Sequence, residues 1–577
     1  MSLLDWIVLI VTLLTIIAYG LYKSRTSHNL DGYFLSNRSM PWGLVLLSIM
    51  GTQASAITFL SAPGQAYTDG MRFVQYYFGI PIAMVVICIF FVPIFHRLKV
   101  YTAYEYLENR FDNKTRTLTS FLFLLSRGLS TGVSVFAPSI ILSSLLGWNI
   151  FFTNIFMGGL LIIYTMTGGA KAVAYTQQLQ LLIIFIGMFL AGYMVVNMLP
   201  ANVNFIDALE VGGKMGKVNV ITDGIQSGKF NWSDQYNIFS GIIGGFFLAL
   251  SYFGTDQSQV GRYLTAKSIK ESRLGLIMNG FVKVPMQFLI LLIGVLVFAF
   301  YQFNKAPIFF NESLARRAHQ TPYSPQLQSI ESEYNEYSRT LATWQSDYTK
   351  LKKSGSSEYI DVEGKIISAN EKRDSLRQEY KKTIKLALPK ADTNDTNYIF
   401  LRFVVDYLPA GLVGLLIAII FLASWGSIAA AINSLASCSM VDFHRRFTKK
   451  KETGEDEYQL SKWYTLGWGI FCIIVAMFTY NLGNSLIEAV NVLGSLFYGV
   501  ILGVFLVAFF LKQIKSGTVV FWAAILAELL VLTVFIMTKL NVFKMGFLWL
   551  NPIGAFGVIF FALVLNLLKR KSPALQG

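Results

Sequence analysis

The sequence predicts an all-α polytopic membrane protein of about thirteen transmembrane helices, with its N-terminus outside and its C-terminus inside. Three observations predict it. First, 54% of the 577 residues are hydrophobic and only 14% are charged, whereas soluble globular chains carry roughly 25% charged residues. A water-facing surface cannot be covered with so few charges. Second, thirteen apolar stretches approach or exceed the ~20 residues that a helix needs to cross a hydrocarbon core of about 30 Å. Third, the basic residues between those stretches crowd into alternate loops. A soluble chain of this length would form about four domains; this composition predicts one membrane domain.

The stretches run approximately over 4–22, 42–62, 72–96, 117–146, 150–167, 174–199, 237–255, 273–302, 405–440, 463–480, 485–511, 518–538 and 547–568. The first has no basic residue before it, only Asp5, and lacks a small-residue cleavage pattern, so it reads as an uncleaved span and not a signal peptide. One set of loops holds Lys23, Arg25 and Arg38, five basic residues from Arg97 to Arg116, Lys171, and four from Arg262 to Arg273. It continues with six from Arg445 to Lys462, then Lys512, Lys515 and the run Lys569 to Lys571, making half of all 48. The alternate short loops hold only Arg72, Lys214, Lys217, Lys229, Lys539 and Lys544. The positive-inside rule makes the first set cytoplasmic. Distributed in this way, the net charge of +15 is a collar that orients helices and not a nucleic-acid surface.

Cysteine and histidine exclude other classes. Cys88, Cys438 and Cys472 lie in apolar runs without CxxC spacing, which points to neither a disulfide scaffold nor a thiolate metal site. His28, His96, His319 and His444 all sit in or beside polar segments, which argues against a membrane-embedded enzyme.

Two basic residues remain deep in apolar helices, Arg127 and Lys283. Each lies about ten residues, roughly 15 Å, from its cytoplasmic helix end. A charge at such depth costs about 2.5–3.5 kcal/mol and generally faces a cavity or a structural partner. Glu528 is also intramembrane, and its place on a late helix favours a structural role.

Two stretches are interrupted in corresponding places. The second contains Gly51-Thr52-Gln53-Ala54-Ser55-Ala56-Ile57-Thr58, and the seventh ends Ser251-Tyr252-Phe253-Gly254-Thr255-Asp256-Gln257. They stand five helices apart, hence run in opposite directions. Such pairs mark inverted-repeat transporters, whose unwound carbonyls bind ions near the midplane, although Gly and Ser also serve close helix packing. The ninth stretch adds hydroxyls in Ala423-Ser424-Trp425-Gly426-Ser427 through Asn433-Ser434. Oxygen ligands of this kind suit a hard cation such as Na⁺.

On these residues the chain resembles the sodium:solute symporter family, the group of sodium–glucose, proline, iodide and bacterial sialic acid symporters. Matching stretches include Thr131-Gly132-Val133 with Ala137-Pro138, the run from Gly168-Gly169 to Gln180, and Arg262-Tyr263-Leu264-Thr265-Ala266-Lys267. Lys283-Val284-Pro285, Ile432-Asn433-Ser434 and Gly494-Ser495-Leu496-Phe497 also match. The resemblance implies a leucine-transporter-like fold: a leading helix, two inverted five-helix repeats over helices 2–6 and 7–11, and trailing helices. It divides the chain into 1–303 (leading helix, first repeat and start of the second), 304–396 (an extracytoplasmic insertion), 397–511 (rest of the second repeat) and 512–577 (trailing helices and a short cytoplasmic tail).

The resemblance also implies the sites. The shared sodium site falls on Gly51, Ala54, Ala423 and Ser427. The position before Ser427 is often a second hydroxyl residue, but Gly426 stands there and removes one oxygen. Gln177-Gln178 stand where some members carry an aspartate for a second sodium, and Ala429 and Ala430 replace hydroxyls of that site, so a single coupling sodium is expected. The expected substrate residues are Ser55, Thr58, Gln75, Arg127, Tyr252, Phe253 and Lys283. The guanidinium fork of Arg127 suits a carboxylate, and Ile57-Thr58 replace the Glu-Gln pair of sugar transporters. The implied function is sodium-coupled import of a sugar acid or other carboxylate across the inner (cytoplasmic) cell membrane, with sialic acid leading. The alternatives are a neutral sugar, polyol, vitamin or anion symporter, or a solute sensor without net transport.

The insertion carries its own pattern. Leu327, Ile330, Tyr334, Tyr337, Leu341, Trp344, Tyr348 and Leu351 alternate spacings of three and four, a heptad seam. After a turn at Lys353-Ser354-Gly355-Ser356-Ser357, Ala369, Leu376, Tyr380 and Ala387 continue a looser seam. An antiparallel helical hairpin is predicted, free in solvent, docked on the transporter's outer face, or holding a protein partner.

Overall fold

The apolar stretches do become helices in the computed structural model of the chain, which describes residues 1–24, 34–448, 454–481 and 485–571. Arg25, Lys449, Lys450, Lys451 and the tail after Lys571 lie outside the described residues, as do the side chains of 167–172, including Lys171. In chain order the main helices are α1 (Leu3–Ser24), α2 (Trp42–Gln53), α3 (Ala56–Asp69), α4 (Met71–Leu98), α5 (Asn113–Leu146), α6 (Ile150–Asn197) and α7 (Phe205–Lys214). They continue with α8 (Ser240–Thr255), α9 (Gln257–Leu264), α10 (Ile269–Phe303), α11 (Ser324–Lys353), α12 (Tyr359–Ala387) and α13 (Thr396–Tyr407). The last are α14 (Leu412–Cys438), α15 (Gly454–Phe478), α16 (Leu486–Phe510), α17 (Gly517–Lys539) and α18 (Leu550–Lys571).

Among the described residues ten helices are long and apolar enough to cross a membrane, eleven when the bent pair α2/α3 is one span. The predicted stretches 150–167 and 237–255 form the shorter apolar helices Ile150–Met166 and Ser240–Thr255. The first of these continues with helical backbone into the next stretch, so α6 has 48 residues. The most apolar 18-residue window of Leu412–Phe447 has 94% of its residues buried and that of Leu3–Gly20 only 22%, which places α14 at the centre and α1 at the rim. The rim helix still has a polar task. Asp5 accepts from the backbone amides of Gly411 (2.6 Å) and Gly414 (3.1 Å) at the start of α14, the end of a helix where a carboxylate is favoured.

Both predicted interruptions are real breaks. α2 and α3 meet at 61° across Ala54 and Ser55. α8 and α9 meet at Asp256, extended at φ −75°, ψ 118°, whose carboxylate accepts from the Ser258 amide at 2.7 Å and so caps α9. The first break is narrower than the sequence implied. Gly51 remains helical, and its lack of a side chain serves packing instead, since a Cβ there would lie 2.7 Å from Cβ and Cγ of Gln177.

α11 and α12 form an antiparallel pair whose seam buries Leu327, Ile330, Tyr334, Leu341, Leu376 and Tyr380. The pair is docked on the transporter and not free. Lys353 pairs with Asp207 (2.8 Å), Lys352 with Glu210 (2.5 Å) and Lys214 with Glu363 (3.3 Å), all against α7. These pairs are partly exposed and individually weak. The strong attachment is at the base, where buried Asp395 is held by Arg377 (2.8 Å) and Lys381 (2.7 Å) and accepts from the Phe310 amide (2.8 Å). Burial alone would raise the Asp395 carboxyl; the two cations overcome it and hold it below its ordinary value. The stability it contributes is therefore fully present above pH ~4 and is lost as pH falls through the lowered value. Asp395→Ala leaves two cations unmatched in the interior and is expected to destabilise the insertion by about 3–5 kcal/mol. Protease susceptibility of 304–396, compared between variant and parent, checks this.

Candidate functional site

The first break frees backbone oxygens in the positions expected for sodium. In an unbroken helix the Ser55 amide would serve the Gly51 carbonyl and the Thr58 amide that of Ala54. Here the Ser55 amide donates to the Gln53 carbonyl (3.1 Å) and the Thr58 amide to the Ser55 carbonyl (3.0 Å). On α14 the Ser427 hydroxyl donates to the carbonyls of Ala423 (2.9 Å) and Ser424 (3.1 Å), leaving its lone pairs to accept a cation. α2 and α14 pack against each other. Thr52 and Gly426, the chain neighbours of Gly51 and Ser427, both bond one amide nitrogen, that of Gln177. Gly51 and Ser427 are thus linked through their chain neighbours, and backbone and hydroxyl oxygens of this kind suit a hard cation.

Beside them lies a cavity of about 110 Å³. It is lined by Gln53, Ser55 and Thr58 from the first break, Tyr252 and Phe253 beside the second, Arg127 from α5 and Lys283 from α10. Six of the seven expected substrate residues therefore converge. Gln75 does not line this cavity. Its amide donates to Thr222 Oγ1 (3.0 Å) and to the carbonyls of Tyr236 (3.0 Å) and Arg72 (3.2 Å), and accepts from the Thr222 amide (3.2 Å). With every polar atom committed to the loop before α8, it braces the start of α4.

The structure adds residues that the sequence did not single out. Arg127 lies 4.0 Å from the Asp256 carboxylate, which also accepts from the Tyr498 hydroxyl at 2.7 Å. The guanidinium stands 5.8 Å from the ring centre of Tyr252, whose hydroxyl accepts from Gln259 at 2.7 Å. Asp256 was visible only as part of an interruption; its spacing from Arg127 along the chain carries no signal of a pair. Tyr76, Tyr77, Asn491 and Tyr498 complete the wall. Lys283 is 1% exposed, with its ammonium 5.6 Å from the Tyr77 ring centre, and has no carboxylate or hydrogen-bond partner among the described residues.

The sequence pattern of the sodium:solute symporter family matches residues 33–319 and 381–551. The chain belongs to the sodium:solute symporter family. It is a sodium-coupled transporter and not an enzyme, with Na⁺ as the coupling ion. The symporter is similar to the sodium/sialic acid symporter SiaT of Proteus mirabilis, 25% identical over 90% of this chain and 86% of that one. It is also similar to the sodium-dependent multivitamin transporter of Oryctolagus cuniculus, 26% identical over 88% of this chain and 66% of the relative. A solved substrate-bound, outward-open Na⁺-coupled sialic acid symporter superposes with a TM-score of 0.74 at 22% identity, covering 98% of both chains. At that identity the likeness speaks for the fold alone. The family match omits 320–380, most of the α11/α12 hairpin.

Proposed function

We propose that the symporter imports a small organic anion with one sodium ion by alternating access, a sugar acid by preference and sialic acid in particular. The charge balance of the cavity carries this reading. Arg127 is matched by Asp256, whereas Lys283 is matched by no carboxylate among the described residues. A lysine buried without a counter-charge is completed by one carboxylate beside it, which makes its charged form favourable. The hydroxyls of Ser55 and Thr58 supply donors on the same wall, and Tyr252 and Phe253 supply ring faces. The names of two relatives, both sialic acid symporters, support the same solute.

In this reading sodium sits among the carbonyls of Gly51, Ala54 and Ala423 and the hydroxyl of Ser427. Its binding orders Ala54–Ser55 and thereby completes the wall that meets the solute, so each ligand raises the affinity for the other. The chain crosses the cytoplasmic membrane thirteen times, N-terminus outside and C-terminus inside. Two inverted five-helix repeats put the breaks at equivalent places, and the hairpin lies outside, braced on the transporter. The positions of the breaks and the cytoplasmic crowding of basic residues support this topology.

A smaller carboxylate is the second reading. At about 110 Å³ the cavity falls below the ~300 Å³ of ordinary small-molecule sites, so a sugar acid enters only when the cavity widens. Uptake into proteoliposomes, with and without a sodium gradient, tests both. Sialic acid, a short monocarboxylate, glucose and an amino acid are compared. The expected result is sodium-dependent uptake of an acid and none of glucose. One sodium with a monovalent anion moves no net charge, so an imposed 100 mV, worth about 2.3 kcal/mol per charge, changes uptake little. Sodium-independent uptake, or preference for the neutral sugar, overturns the proposal.

A further inference from the structure

Gln177, on α6, joins the two helices that carry the expected sodium ligands. Its Nε2 donates to the Gly426 carbonyl at 3.1 Å and to Thr52 Oγ1 at 3.3 Å, and its Oε1 accepts from Ser48 Oγ at 3.0 Å. A peptide carbonyl can only accept, so the amide must turn its NH₂ toward Gly426, and the Ser48 hydroxyl must donate to the other end. The side chain is fully buried. In a dry interior, breaking these bonds leaves unsatisfied groups on both α2 and α14.

Two glycines are shaped to this bridge. A Cβ on Gly51 would stand 2.7 Å from Cβ and Cγ of Gln177, and a Cβ on Gly426 would stand 2.5 Å from Oε1 of Gln180, one turn along α6. A side chain at Gly426 would have to displace the amide end of Gln180. The position before Ser427 and the glutamines of α6 thus share one space.

We propose that Gln177 is a positioning residue for the coupling sodium. It sets the separation of α2 from α14, and with it the distance between the carbonyls of Gly51 and Ala54 and the oxygens of Ala423 and Ser427, without touching the ion. This rests on the sodium-site assignment made above. The two are separable. Gln177→Met keeps the length of the side chain and removes all three bonds; Gln177→Glu turns an oxygen against the Gly426 carbonyl. Either is expected to raise the half-saturating sodium concentration at least tenfold, while solute affinity at saturating sodium stays within about threefold of the parent. A residue needed only for folding would not produce that split. Gly426→Ser alone is expected to weaken sodium binding similarly, and Gly426→Ser combined with Gln180→Ala to restore it. Sodium-dependent solute binding to the purified full chain measures each case.

Parental sodium half-saturation in Gln177→Met overturns the proposal. Where Gln177→Met yields no folded protein, parental sodium half-saturation in Gln177→Glu overturns it instead. Ser427→Ala serves as the reference: if it changes sodium dependence and Gln177→Met does not, the positioning role falls and the site stands. If neither changes it, the site assignment falls as well.

Discussion

Ser427→Ala is expected to raise the half-saturating sodium concentration by ten- to a hundredfold. Ser427 supplies the only side-chain oxygen in the expected ligand set, and Gly426 offers no second hydroxyl to replace it. A polar contact to a charged group contributes about 1.5–3 kcal/mol, which corresponds to that range of affinity. Because sodium and solute bind to linked sites, solute affinity at fixed, subsaturating sodium falls in proportion. Excess sodium should recover it. Ser427→Thr keeps the hydroxyl and is expected to retain most of the parental affinity. Solute uptake titrated with sodium, for the parent and both variants, is the measurement. An unchanged sodium dependence in the alanine variant would refute the site.

Lys283→Met is expected to lower affinity for an acidic solute by about a hundredfold, roughly 3 kcal/mol, and affinity for a neutral analogue far less. The same variant is expected to raise the thermal stability of the empty protein. A lone buried cation costs about 2.5–3.5 kcal/mol at such depth, and methionine fills similar space without that cost. Loss of binding together with a gain in stability separates a binding role from a structural one. Arg127→Ala should behave differently. It strands the Asp256 carboxylate beside Tyr498, so acidic and neutral solutes suffer together and stability falls. Arg127→Ala with Asp256→Asn should recover stability without recovering transport. Equal losses for acidic and neutral solutes in Lys283→Met would refute the carboxylate assignment.

These two expectations reverse the weight that the sequence placed on the cations. Read in one dimension, Arg127 and Lys283 are equivalent: each is a charge about fifteen ångströms deep, and the fork of Arg127 made it the better carboxylate ligand. The carboxylate that meets Arg127 is its own chain's Asp256, more than a hundred residues away. Gln75 went astray for a related reason. A glutamine in an apolar helix looks the same whether its amide faces a cavity or a loop, and Thr222 and Tyr236, which claim it, are distant in sequence.

What the sequence by itself determined was everything set by local chemistry. Apolar stretches of spanning length, the crowding of basic residues into alternate loops, and the small and polar residues at Ala54–Ser55 and Asp256 all act within a turn or two of the backbone. Of these, the spans and the breaks lower the local free energy wherever the rest of the chain lies, and the basic loops bias an orientation in the same local way. The heptad seam of the hairpin was legible on the same ground, because its period repeats within one helix. What only the tertiary structure decided was pairing: Arg127 with Asp256, Gln177 with Gly426, Asp395 with Arg377 and Lys381, Asp5 with the start of α14. Removing a polar group from water costs free energy until a partner is found. Several helices offered partners to each of these groups, and the packing of the bundle chose among them.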